Sequence, residues 1–117
     1  MQRTVFKIAV LIFLVLSITG CEPRHWGPEL RLEGVYFPLY APDAKSVAIA
    51  GSFNQWDTKD LLTGPDEYGF WSIILPVPDG RYEYLFLING KEWELDPGAA
   101  SVDDGLGGRN SVVVIGK

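Results

Sequence analysis

From Val35 onward, short apolar runs alternate with clusters of Gly, Pro, Asn and Asp, and no stretch repeats its apolar positions at helical spacing. Strands are predicted over residues 35–40, closed by Ala41-Pro42-Asp43, and over 46–50, where Val47 and Ile49 face one way. A turn-rich stretch runs from Gly51 to Gly69. In the strand predicted over 70–77, Trp71, Ile73 and Leu75 share one face, which makes Trp71 a core residue. Pro76, Pro78 and Asp79-Gly80 end that run and read as a hairpin turn into a strand over 81–88. There Tyr82, Tyr84, Phe86 and Ile88 occupy one face and Glu83, Leu85 and Leu87 the other. Asn89-Gly90 turns the chain, Trp93 sits in a short strand broken by Asp96-Pro97, and a Gly-rich loop to Gly108 leads into a last strand over 111–115. About seven such strands predict an all-β, immunoglobulin-like β-sandwich over residues 33–117.

The first twenty residues follow another pattern. Arg3 and Lys7 precede an apolar run from Ile8 to Ile18 interrupted only by Ser17, as in a cleaved secretory signal helix. The run is short of the roughly 20 residues that cross a bilayer. Ile18-Thr19-Gly20-Cys21 resembles the bacterial lipobox, which implies cleavage before Cys21 and lipidation of its thiol. Residues 21–32, with Pro23, Gly27 and Pro28 and no period, are expected to be an extended tether; His25 and Trp26 within it receive no role. The expected location is the cell envelope beyond the inner membrane, and Glu22 after the cysteine points to an outer membrane where there is one.

Charge and cysteine content narrow the partners. The chain carries 10 basic and 15 acidic side chains, and loss of Arg3 and Lys7 with a leader leaves a net charge of about −7, unsuited to the phosphate backbone of nucleic acid. A single cysteine excludes an internal disulfide, and one histidine offers no zinc-ligand spacing, so neither a metal nor another cofactor is expected. Glycoside hydrolysis uses two carboxylates flanking the bond. The nominal pairs Glu92 with Glu94 and Asp103 with Asp104 fall in short exposed segments, and Asp103-Asp104-Gly105 lacks the spacing of an EF-hand, so no enzyme is expected.

The run Val47-Ala48-Ile49-Ala50-Gly51-Ser52-Phe53-Asn54-Gln55-Trp56 resembles carbohydrate-binding module family 48, in particular the glycogen-binding domain of the AMP-activated protein kinase beta subunit. Tyr82 to Phe86, Asn89-Gly90 before Trp93, Asp96-Pro97, and Gly107 to Val114 follow in the family's order, so the resemblance covers roughly residues 33–116. It implies an early-set immunoglobulin-like fold and binding of α-glucans such as glycogen or starch. The family also includes domains that precede a (β/α)₈ barrel in branching and debranching enzymes; such a barrel takes about 250 residues, for which this chain has no room.

By that resemblance Trp56 and Trp93 are the platforms on which sugar rings stack, Leu106 packs into the concave side of the glucan, and Asn110 hydrogen-bonds its hydroxyls. Asn54 is expected to form the turn rather than to touch ligand. Three positions depart from the family: Leu85 replaces a lysine that contacts sugar, Glu92 lengthens the turn before Trp93, and Gly108 replaces a hydroxyl residue. Lys91 is the candidate to restore the missing donor. The expected function is non-catalytic α-glucan binding by a lipid-anchored protein; the alternative is an interaction module that binds another envelope protein through the same fold.

Overall fold

The computed structural model describes residues 26–116, so the leader, Cys21 and the first part of the expected tether lie outside them. The described chain forms strands β1 (Glu29–Arg31), β2 (Gly34–Tyr40), β3 (Val47–Gly51), β4 (Phe70–Leu75), β5 (Gly80–Ile88), β6 (Glu92–Glu94), β7 (Ala100–Asp103) and β8 (Arg109–Ile115), with no helix among these residues. Two antiparallel sheets result: β1-β2-β4, and a second ordered β3-β5-β8-β7 with β6 also on β5. This is the expected immunoglobulin-like sandwich.

Nine-residue β5 organises the second sheet. Its residues 84–88 pair with β3, and on the opposite edge 80–84 pair with β8 while 86–88 pair with β6. Period-two alternation then sends Tyr84, Phe86 and Ile88 into the core and Glu83, Leu85 and Leu87 to the outer face, as read from the sequence. Phe37 and Leu39 of β2, Val47 and Ile49 of β3, Trp71 of β4 and Val113 and Ile115 of β8 meet them. Trp71 is buried, and its indole N–H donates to the carbonyl of Ala41 (2.8 Å), which satisfies its polar edge. The segment Asp60–Thr63 bridges the sheets: Ile49 N–H donates to Asp60 O, Leu62 N–H to Val47 O, and Thr63 and Ser72 exchange bonds. That cover explains why all five residues of β3 are buried.

Two expectations are corrected. The hairpin from β4 into β5 does not form; β4 pairs with β2, whereas β5 belongs to the other sheet. Residues 76–79 carry the chain between layers, and Pro76 and Pro78, which have no N–H to donate to a ladder, suit a crossing better than a hairpin. The expected tether also ends early. β1 lies inside it and pairs with β2, and Trp26 packs on Tyr40 and Phe70, so the fold starts before residue 33.

Candidate functional site

Trp56 reaches the surface on a loop that the preceding residues make rigid. The carbonyl of Gly51 accepts the N–H groups of Asn54 (3.1 Å) and Trp56 (2.8 Å). The Asn54 side chain accepts the Gly51 N–H (2.9 Å) and donates to the Ile49 and Asp57 carbonyls and to Asp60 Oδ2 (2.8 Å). Gln55 and Trp56 both take left-handed backbone (φ 56° and 58°), a conformation costly for non-glycine residues and held by these bonds. Phe53 pins the loop from below, 5.7 Å from Phe37 and 5.9 Å from Tyr82 between ring centroids. Gly51 is required for close approach: a Cβ there would lie 2.5 Å from the Glu83 carbonyl oxygen.

Trp93 comes from a different part of the chain. It is the middle residue of β6, directly opposite Leu87, and so shares the outer face with Leu87 and Leu85. The turn before it uses Asn89 and Gly90 at φ 54° and 68°, and Asn89 Oδ1 accepts the N–H groups of Lys45 (2.7 Å) and Ser46 (3.2 Å). After β6 the chain is fixed by buried Asp96. Its carboxylate accepts the Tyr84 hydroxyl (2.6 Å) and the Gly98 N–H (2.8 Å), and its backbone N–H donates to Ser111 Oγ.

These elements bring Trp56 and Trp93, 39% and 49% exposed, to one open depression of about 550 Å³. Leu85 and Leu95 line it as well, and Asp104, Gly108 and Arg109 complete its wall. Asp104 is bound up in its own loop, since Oδ1 accepts the N–H groups of Leu106 (2.7 Å) and Gly108 (3.0 Å). Arg109 is anchored on Ser101, donating from Nε to Oγ (2.9 Å) and from Nη2 to the carbonyl (2.7 Å).

The other expected residues are placed as follows. Leu106, between Gly105 and Gly107 at φ 80° and 92°, is 91% exposed at the loop tip and does not line the depression. Asn110 lies half-buried on β8 and donates to Glu83 Oε1 (3.1 Å). That bond, and then the Arg81 guanidinium (3.2 Å), hold the Glu83 carboxyl below its usual range. Lys91 is not brought to the tryptophans; with Lys45, Ser46, Asn89 and Glu92 it lines a separate depression. Leu95 and Arg109 escaped the sequence reading, which named Asp104 only as a nominal carboxylate. Leu85 and Gly108 had signalled this wall, as positions that depart from the family pattern.

Among the described residues, no three His, Cys, Asp or Glu side chains gather to hold a metal ion, and no helix is long and apolar enough to cross a membrane. Comparison with known proteins agrees with the fold. The family model of carbohydrate-binding module 48 (isoamylase N-terminal domain) matches residues 20–99. The 1,4-alpha-glucan branching enzyme GlgB of Francisella tularensis subsp. novicida is 31% identical over 70 residues, 58% of this chain and 11% of the relative. GlgB 1 of Clostridium perfringens is 41% identical over 70 residues, 58% of this chain and 10% of the relative. The chain thus spans about a tenth of the length of these relatives. A match over residues 20–99, on an immunoglobulin-like sandwich that presents two tryptophans at one depression, places the chain in carbohydrate-binding module family 48.

Proposed function

We propose that this protein binds α-glucan without cleaving it, through sugar rings stacked on Trp56 and Trp93, and that lipidation of Cys21 holds it on a membrane. The observation that carries the sugar reading is the convergence of two half-exposed tryptophans, each on a rigid segment, beside the apolar side chains of Leu85 and Leu95. A glucose ring presents an apolar face of C–H groups and a rim of hydroxyls, which calls for flat aromatic surface flanked by polar groups. Arg109 and Asp104 are the polar side chains that line the depression. The relatives are by name enzymes of 1,4-alpha-glucan, whose coiled chain presents successive rings to separated platforms. Non-catalytic action accords with the carboxylates: Asp103 and Asp104 accept loop N–H groups, and Glu92 and Glu94 flank Trp93 on an exposed strand.

Stacking two rings removes on the order of 150–200 Å² of apolar surface from water, roughly 4–5 kcal/mol before ordering costs. A net of about 4 kcal/mol corresponds to a dissociation constant of about 1 mM. Retention would then come from many anchored copies meeting one long polymer.

The test is electrophoresis of the fragment 22–117 through native gels. Retardation by glycogen or amylopectin, and none by cellulose or dextran, is expected. A folded fragment that glycogen does not retard, and whose tryptophan emission β-cyclodextrin leaves unchanged, would refute sugar binding. The second reading, an interaction module for another envelope protein, would then stand, since leucine at position 85 with Leu95 makes the depression more apolar than the family pattern. The anchor is tested separately: labelled palmitate should enter the wild type and not Cys21→Ser.

A further inference from the structure

A second aromatic cluster lies on the opposite side of the sandwich. Tyr40 and Phe70 are register partners on β2 and β4, on the face turned away from buried Leu39 and Trp71. Trp26 meets Tyr40 edge-on at 6.0 Å and Phe70 at 5.2 Å between ring centroids. Trp26 and Tyr40 remain 46% and 48% exposed, and Tyr68, in the turn that leads into Phe70, is 61% exposed. The backbone that delivers Trp26 is clamped, because Gly27 and Gly98 pass so closely that a Cβ on either would strike the backbone of the other. The glucan depression is on the outer face of the other sheet.

We propose that the cluster of Trp26, Tyr40 and Phe70, with Tyr68 in the adjoining turn, rests in the headgroup layer of the membrane that holds Cys21, turning the glucan site outward. This rests on the anchor reading. Trp26 lies five positions after Cys21, so it stays within about 18 Å of the lipidated residue even with the chain fully extended. Tryptophan and tyrosine favour that layer because each joins an apolar ring to a polar edge. Acyl chains on Cys21 supply the affinity at about 0.8 kcal/mol per buried methylene, and the rings supply orientation. Asp43, Asp66 and Glu67 lie in the segments that follow Tyr40 and precede Phe70, and the Asp66 carboxylate accepts the N–H groups of Tyr68 and Phe70 (both 2.9 Å). Their charge disfavours anionic headgroups, so the interface that fits is zwitterionic.

The lipidated full-length protein, reconstituted into phosphatidylcholine vesicles brominated either shallow or deep in the acyl chain, provides the test. Shallow bromine should quench tryptophan emission more than deep bromine. Trp26→Phe should keep less than half of that quenching, and Tyr40→Glu with Tyr68→Glu should lose it while the protein still sediments with vesicles and keeps the near-ultraviolet signature of buried Trp71. Wild-type protein that sediments with vesicles yet is not quenched overturns the docking and leaves the anchor standing. Protein that carries no lipid and stays in the supernatant overturns both. Maltooligosaccharide that quenches Trp26 in a Trp56→Ala, Trp93→Ala background would make the cluster a second sugar platform, which also overturns the proposal.

Discussion

The Tyr84 hydroxyl donates to the Asp96 carboxylate over 2.6 Å, both residues buried, and this one bond ties the central strand to the segment that ends the Trp93 arm. Asp96 is further held by the Gly98 N–H at its carboxylate and by Ser111 Oγ on β8 at its backbone N–H, so β5, β8 and the segment after β6 meet at one residue. Tyr84→Phe leaves that carboxylate short of a donor and should cost about 1–3 kcal/mol of stability, measured by denaturant unfolding.

The same carboxylate sets a pH dependence. Burial pushes the Asp96 pKa above its usual value, against the opposing pull of the Tyr84 and Gly98 hydrogen bonds. A raised folded-state pKa means that the native state holds its proton more tightly than the unfolded chain. Its contribution is therefore fully present below the ordinary carboxylate range and is lost as pH rises through the folded-state value. Unfolding of Asp96→Asn followed against pH should lack this decline above the ordinary range; a profile parallel to wild type would count against it.

Trp56, Trp93 and Trp71 should separate binding from folding. Trp56→Ala or Trp93→Ala removes about half of the stacking surface and should weaken glycogen binding by about 2 kcal/mol, about 30-fold, measured by gel retardation or fluorescence titration. Trp71→Ala opens a cavity in the core and breaks the bond to Ala41, costing about 3–5 kcal/mol. That is a large share of a small domain's total stability, so the last variant should unfold or melt far lower.

Leu85 offers a gain of function. It lines the same depression as the two platforms, where the family pattern has a donor lysine, on the outward face of β5. Leu85→Lys should tighten binding of maltoheptaose about fivefold, the effect of about 1 kcal/mol from a new hydrogen bond to a sugar hydroxyl. Weaker binding by the folded variant would show that the apolar floor is itself the recognition element.

Alternation made the inward face of β5 readable in advance, because a strand with one buried face must repeat its apolar residues every second position. Partners were less readable. The hairpin expected at Asp79-Gly80 failed because period two marks a face and not a neighbour, and the β4 edge was already taken by β2 along six residues. β1 and β7, at three and four residues, are too short and too mixed in composition to leave a period. The motif around Trp56 and the turn before Trp93 pointed to the depression, whereas Arg109 and Asp104 arrive there through a loop closed by hydrogen bonds between Asp104 and Gly108 that no spacing encodes.

Asn54 provides the sharpest test of how the loop presents Trp56. Its amide engages the backbone at Gly51, Ile49 and Asp57 and the carboxylate of Asp60, so it ties the end of β3 to both sides of the loop. Gln55 and Trp56 follow in left-handed backbone, which relaxes to ordinary extended or helical values unless the loop ends are pinned. In Asn54→Ala these bonds are lost together, and the Gly51 N–H and Asp60 carboxylate must turn to water. The core contacts of Phe53 with Phe37 and Tyr84 are untouched. A stability loss of about 1–3 kcal/mol is expected, survivable for the sandwich. Glucan affinity should fall nearly as far as in Trp56→Ala although the tryptophan is still present, and Asn54→Asp, which keeps the acceptor for Gly51 but faces Asp60 with a like charge, should recover little. Full affinity in Asn54→Ala, measured on folded protein, would mean that the ring finds its place without the loop's hydrogen bonds.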